Sequence, residues 1–174
     1  GVKGVGKLNE KVLSGDVIDL INLSEALHER KYADIADQIY ARRGSVKIVF
    51  IAGPSSSGKT STSKRLALQC RILGLNPKVI ELDNYFVDRE LTPKDENGEY
   101  DFECLGAMDL KLLGQQLNDL LAGKEVEVPR FDFKDGRKYF EGNFMQLREK
   151  DILIMEGIHA LNPAMIPDVD SSKV

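Results

Sequence analysis

The stretch VKIVFIAGPSSSGKTST, residues 46–62, decides how the rest of the chain is read. Its first half, VKIVFIAG, is a short apolar, β-branched run that stops at a glycine, which is the pattern of a buried strand. Its second half, Gly53 to Thr60, fits G-x-x-x-x-G-K-[ST]. Each fixed residue has a physical task. Gly53 and Gly58 let the backbone turn tightly, so that the N–H groups of Ser55, Ser56 and Ser57 point inward at an anion. The loop then enters a helix at Lys59, Thr60 and Ser61, whose free N–H groups and partial positive charge favour phosphate. Lys59 adds a full charge toward the outer phosphates, and the Thr60 hydroxyl can ligate Mg²⁺. A random chain of this length carries the pattern on the order of once in a few hundred times. Here a buried strand precedes it and an amphipathic helix follows. A Ser/Gly-rich surface turn is the competing explanation, and this context disfavours it. The stretch predicts a nucleoside triphosphate site.

Outward from this loop, the pattern alternates. Leu66, Cys70 and Leu73 form a helix stripe that Gly74 ends. Residues 78–83, KVIELD, read as a second strand. Residues 84–108 are polar and aperiodic, a long loop. Asp109 can cap a helix striped by Leu110, Leu113, Leu117 and Leu120 and closed by Gly123. Residues 125–129 are a short extended piece, and DILIMEG (151–157) is a third buried strand. Strand, helix, strand, helix, strand implies an α/β fold, a parallel sheet flanked by helices. Before it, residues 16–43 read as a helix with Tyr32, Ile35, Ala36, Ile39 and Tyr40 on one face. The division expected is a helical segment over 1–45 and a phosphate-loop core over 46–174.

Composition sets bounds. Lys plus Arg is 24 against Asp plus Glu 28, a net charge of −4, which argues against nucleic acid as the main partner. No apolar run reaches membrane-span length. Two cysteines, Cys70 and Cys104, make no disulfide framework, and Cys70 in an apolar stripe reads as a buried, inert thiol. A reducing cytoplasm fits these features.

Two acids complete the site. Glu156 closes the third strand, the place for a Mg²⁺ partner near the phosphate loop. Asp83 closes the second strand and can accept a proton from a hydroxyl that attacks the γ-phosphate. The ends of strands in open α/β sheets form the ligand crevice, so Gly53, Asp83 and Glu156 should converge there. Either acid could instead only cap or turn the chain. His28 and His159 read as surface or structural residues.

With these motifs in order, the sequence resembles the uridine kinase and phosphoribulokinase-like family. The likeness runs over roughly residues 46–163 through the loop, LDNYF, YDFECLGAMDL, VEVPRFDF and ILIMEGI. It implies a phosphate-loop kinase core using ATP and Mg²⁺. The acceptor it implies is a hydroxyl of a small molecule, typically the 5′-hydroxyl of a pyrimidine ribonucleoside. By the resemblance, Asp83 faces the acceptor hydroxyl, with Tyr85 and Phe86 beside it. Glu103, after Phe102, reaches the ribose, and Phe131, Asp132 and Phe133 line the nucleoside pocket. Glu156 follows the magnesium strand. The departures lie in the base pocket. A histidine expected three positions after Phe133 is Gly136, and an Asp-His-Pro is Glu103-Cys104-Leu105. Arg130, Arg137 and Lys138 add positive charge there, which would suit an anionic acceptor unless they are solvated surface charges.

The N-terminal stretch is similar to the segment before the kinase core in longer bacterial proteins that carry a threonyl-tRNA-synthetase-like region upstream. The resemblance also implies an arginine-bearing lid and two further strands after the third, and residues 157–174 contain no arginine. The outer edge of residues 46–52 is then expected to be open to pairing, with more chain or with a second copy. Rival readings are a regulatory GTPase, which lacks its N-K-x-D motif here, a transport or motor ATPase, and a non-catalytic nucleotide-binding module.

Overall fold

A computed structural model describes residues 2–174. Eleven elements follow in order: α1 (Val5–Leu13), α2 (Val17–Ala41), β1 (Ile48–Ala52), α3 (Lys59–Ile72), β2 (Asn76–Glu81), α4 (Leu110–Leu121), β3 (Val126–Glu127), β4 (Arg130–Asp132), β5 (Arg137–Tyr139), β6 (Phe144–Met145) and β7 (Asp151–Gly157). The core is a parallel sheet in the order β1-β7-β2. Every residue of β7 is buried, because it is the middle strand and both of its faces are covered.

The alternation of side chains along the strands sorts the core into two layers. Leu153 and Met155 of β7 pack with Ile48 of β1, Ile80 of β2 and the α4 stripe Leu113, Leu117 and Leu120. Ile152 and Ile154 face the other way, onto Leu66, Ala67 and Cys70 of α3 and Ala36 and Ile39 of α2. Cys70 is fully enclosed, and burial pushes its thiol up to about 11, in keeping with an inert core residue. Of the five apolar positions on the α2 stripe, only Ala36 and Ile39 are buried. The helix rests on α3 through one edge, where the Arg65 guanidinium meets Glu29 at 2.6 Å and Gln69 donates to the same carboxylate.

Two local expectations are corrected. β2 runs from Asn76 to Glu81 rather than over 78–83. It begins early because the Asn76 side chain donates to Asp151 at 2.7 Å and its N–H to the Lys150 carbonyl, fixing register against β7. It ends early because Leu82 turns down into the core, so Asp83 sits in a 3₁₀ turn (Leu82–Tyr85) just past the strand. The stretch 84–108 is ordered by two more 3₁₀ turns, Arg89–Leu91 and Leu105–Ala107, and by a bridge between Phe86 and Met108. Residues 130–145, which carry no clear period, form the β4–β5 hairpin and the β3–β6 pair. Helix α1 was also not anticipated; it buries none of its residues.

β1 is hydrogen-bonded along one side only, to β7, among the described residues. Its other edge faces a cavity of about 400 Å³ lined by Ile39, Val46, Phe50, Leu161, Ile166 and Val174, among others. The Lys47 N–H donates to the Lys173 carbonyl at 2.8 Å, which brings residues 171–174 to the foot of this strand. No helix among the described residues is long and apolar enough to cross a membrane.

Candidate functional site

The carboxyl ends of all three sheet strands open on one crevice. Glu156 of β7 lies in register between Ile51 of β1 and Glu81 of β2. The turn after β1 is Gly53 to Gly58, and it is sterically tight. A Cβ at Gly53 would lie 2.6 Å from Ser57 Oγ and 3.3 Å from Lys59 Cγ, so any larger residue would force the Ser57 and Lys59 side chains to shift. Ser56 takes a left-handed conformation at φ 57°, and Gly58 another at φ 88° as it enters α3. Consecutive N–H groups in such conformations form an anion-binding concavity. Ser55, Ser56, Ser57, Gly58 and Ser61 are exposed, as a loop that receives a ligand must be. The Lys59 ammonium donates to the Pro54 carbonyl at 2.9 Å, which holds it across the loop.

The Thr60 hydroxyl donates to a carboxylate oxygen of Glu156. The two residues expected to ligate a cation therefore meet, although they are 96 positions apart. Glu156 is buried. A buried carboxylate with a hydroxyl as its side-chain partner is an oxygen donor set suited to a hard cation. No group of three or more His, Cys, Asp or Glu among the described residues could cage a metal by itself. The set fits Mg²⁺, which keeps water and phosphate oxygens in its shell.

Asp83 stands beside this pair. Burial raises its pKa above the usual carboxylate value, the negative charge of Glu156 raises it further, the Lys59 ammonium opposes both, and Glu81 adds a small upward push. Glu156 acts on it from β7 and Lys59 from the start of α3, so the loop, Asp83 and Glu156 converge in the fold.

The remaining expected residues are placed less uniformly. Tyr85 is wholly buried: its hydroxyl donates to Gln116 at 2.8 Å, and Gln116 donates on to the Glu127 carbonyl at 2.8 Å. Burial pushes its pKa up. It lies in the core beneath the crevice and not on its surface. The Asp132 carboxylate accepts from the Lys134 and Asp135 N–H groups, which lower its pKa, and so it shapes the tip of the hairpin. Glu103 is exposed and its N–H donates to Asp101. Arg137 is exposed, 3.9 Å from Glu90. Lys138 is not free positive charge: its ammonium meets Asp109, the cap of α4. Burial pushes the Asp109 pKa up, but the hydrogen bonds from Lys138 and the Leu112 N–H outweigh it, and the net shift is downward. Arg130 is 3.4 Å from Glu141. Phe131 belongs to an aromatic cluster. Its ring centroid lies 5.6 Å from that of Phe86 and 5.1 Å from that of Phe133, and Phe86 also meets Phe102 edge-on at 6.0 Å. Residues Asp95–Gly98 form a turn, in which the Asp95 carboxylate accepts from the N–H groups of Asn97 and Glu99.

Sequence reasoning missed Asn84, whose side-chain oxygen accepts from the Phe131 N–H at 3.2 Å. This bond ties the hairpin to the turn that carries Asp83. It also missed Arg89, which covers Gly136. The signal for Asn84 was its place in LDNYF, and for Arg89 the departure noted at Gly136.

The model of the phosphoribulokinase/uridine kinase family matches residues 48–170. The chain belongs to this family. The uridine kinase of Macrococcus caseolyticus (strain JCSC5402) is 32% identical over 127 residues, which are 73% of this chain and 60% of that protein. Uridine-cytidine kinase C of Dictyostelium discoideum is 38% identical over 123 residues, 69% of this chain and 24% of that one. The chain thus spans three fifths or less of the length of these two relatives. A solved structure described as that of "a Possible Uridine Kinase" from Bacillus stearothermophilus superposes with a TM-score of 0.65. It has 24% identity and covers 81% of this chain and 77% of its own; at that identity it shows the fold.

Proposed function

We propose that this chain carries the catalytic core of an ATP-dependent kinase that transfers the γ-phosphate to a hydroxyl of a nucleoside, with uridine- or cytidine-like acceptors favoured. The observation that carries the proposal is the Thr60–Glu156 contact, formed beside a half-buried carboxyl, Asp83, whose pKa burial raises. A nucleotide-holding pair with an adjacent proton acceptor is what transfer to a hydroxyl needs. Named curated relatives act on uridine or on uridine and cytidine, which supports the choice of acceptor.

In this reading the N–H groups of residues 55–61 cradle the phosphates, and Lys59 places its charge against the outer ones. Thr60 and Glu156 would hold Mg²⁺, which when bound neutralises charge on the β- and γ-phosphates. Asp83 accepts the proton of the acceptor hydroxyl as its oxygen attacks the γ-phosphorus; the bond from phosphorus to the β,γ-bridging oxygen breaks and ADP leaves. The aromatic cluster around Phe131 and Phe133 packs against the nucleoside, with Glu103 and Arg137 at the exposed rim. The small-molecule acceptor and a cytoplasmic setting belong to the same proposal, as does the assignment of residues 1–45 to the tail of an upstream region.

The test is ADP formation measured with a panel of nucleosides and sugars. ADP that appears only with a pyrimidine nucleoside supports the kinase. ADP formed equally without any acceptor would make the protein an ATPase, and tight ATP binding without turnover would make it a non-catalytic module.

A further inference from the structure

The hairpin that carries Phe131 and Phe133 is bound to the segment after Asp83 by five hydrogen bonds, and one side chain makes the most distinctive of them. The Arg89 guanidinium donates to the Phe133 carbonyl at 2.6 Å and reaches the Lys134 carbonyl at 3.4 Å. The Arg89 N–H donates to the Gly136 carbonyl at 2.7 Å. The neighbouring Asp88 carboxylate accepts from the Lys138 N–H at 2.9 Å, and Asn84 accepts from the Phe131 N–H at 3.2 Å. Among the described residues the Arg89 guanidinium has no carboxylate partner, so its fixed donors are spent on backbone carbonyls at the hairpin tip.

The same side chain fills the space above Gly136. A Cβ there would lie 2.7 Å from Arg89 Cζ and Nε and 2.8 Å from its Cβ. Gly136 is also buried at φ 68°, a conformation that side-chain-bearing residues rarely adopt. A residue other than glycine at 136 and this placement of Arg89 are mutually exclusive.

We infer that Arg89 is the positioning residue that sets the acceptor pocket: it locks the hairpin tip over Gly136 and thereby fixes Phe131 and Phe133 relative to Asp83. The inference rests on the kinase reading for the identity of the pocket, but the hairpin contact it invokes is independent of activity. Arg89 lies six positions after Asp83 and is bonded to the aromatic wall at the Phe133 carbonyl, so it couples the group proposed to take the proton to the surface proposed to hold the acceptor.

The experiment compares Arg89→Ala, Arg89→Lys and Gly136→Ala with the parent protein. Acceptor KM, ATP KM and kcat are measured with uridine and cytidine, together with amide hydrogen exchange at Gly136, Lys138 and, as a control, Leu153 and Ile154. Loss of charge-assisted hydrogen bonds of this kind corresponds to about 10-fold or more. Arg89→Ala should raise acceptor KM by about that factor and leave ATP KM near the parent value. Arg89→Lys should recover part of the loss, since an ammonium can still reach one carbonyl. Gly136→Ala should repeat the alanine effect by displacing Arg89. Exchange should quicken at Gly136 and Lys138 and not at the two β7 amides. Unchanged acceptor KM, or acceptor and ATP KM rising together, would overturn the inference. If the parent phosphorylates no nucleoside, the kinase reading fails separately. The exchange data then decide alone: unaltered protection at Gly136 and Lys138 in Arg89→Ala rejects the role, and selective loss upholds the hairpin lock.

Discussion

Asp83 is the side chain on which the proposed chemistry and the stability of the fold pull in opposite directions. Burial and Glu156 raise its pKa in the folded protein above the ordinary carboxylate value, so the folded state binds its proton more tightly than the unfolded state does. The stability this gives is present at low pH and is lost as pH rises through the raised pKa. At neutral pH the ionised Asp83 is therefore a destabilising charge. Asp83→Asn should melt at a higher temperature than the parent at pH 7, with the gap narrowing in acid. It should also lose phosphoryl transfer by about 10²-fold or more while binding ATP normally, because it removes a base and no phosphate contact. A lower melting temperature at pH 7, or weakened ATP binding with intact transfer, contradicts this. Transfer in the parent should decline in acid at a higher pH than an ordinary carboxylate of pKa 3.8 would give. Lys59→Ala should abolish transfer with the fold intact, as judged by an unchanged circular dichroism spectrum; near-parent turnover would reject the phosphate-loop assignment. The positions of Asp83 and Lys59 in the crevice were legible in the sequence because each sits at a strand end or in a spaced motif. Tyr85 was not: its neighbours in sequence mark it for the crevice, but a 3₁₀ turn rotates it into the core.

The elements that were legible are those whose period is set by burial. β7 reads as a strand because every position is covered, and α4 because Leu113, Leu117 and Leu120 share a buried face below an Asp109 cap. The β4–β5 hairpin was not legible. Its order comes from bonds to distant residues, Asn84, Asp88 and Arg89, and from Lys138 to Asp109, none of which leaves a local pattern. The Tyr85–Gln116–Glu127 chain is a second link of this kind, joining the Asp83 turn to α4 and β3. Tyr85→Phe leaves the buried Gln116 oxygen without its donor. That should cost about 1–3 kcal/mol in chemical denaturation. A variant as stable as the parent would show that Gln116 finds another partner at no cost.

For the molecule as a whole, the sheet order places β1 at an edge, as the sequence reading anticipated, and leaves one side of it open beside an apolar cavity. Such an edge invites another strand. The central claim is that one crevice holds ATP through Thr60 and Glu156 and takes the acceptor proton through Asp83. It is tested most directly by a single-turnover reaction of γ-labelled ATP with uridine and cytidine in the parent protein, beside its Asp83→Asn variant at matched ATP occupancy. The account predicts label on the nucleoside 5′-hydroxyl in the parent and a loss of about 10²-fold or more in the variant. Label that appears only as free phosphate in the parent, or equal transfer by both proteins, would contradict it.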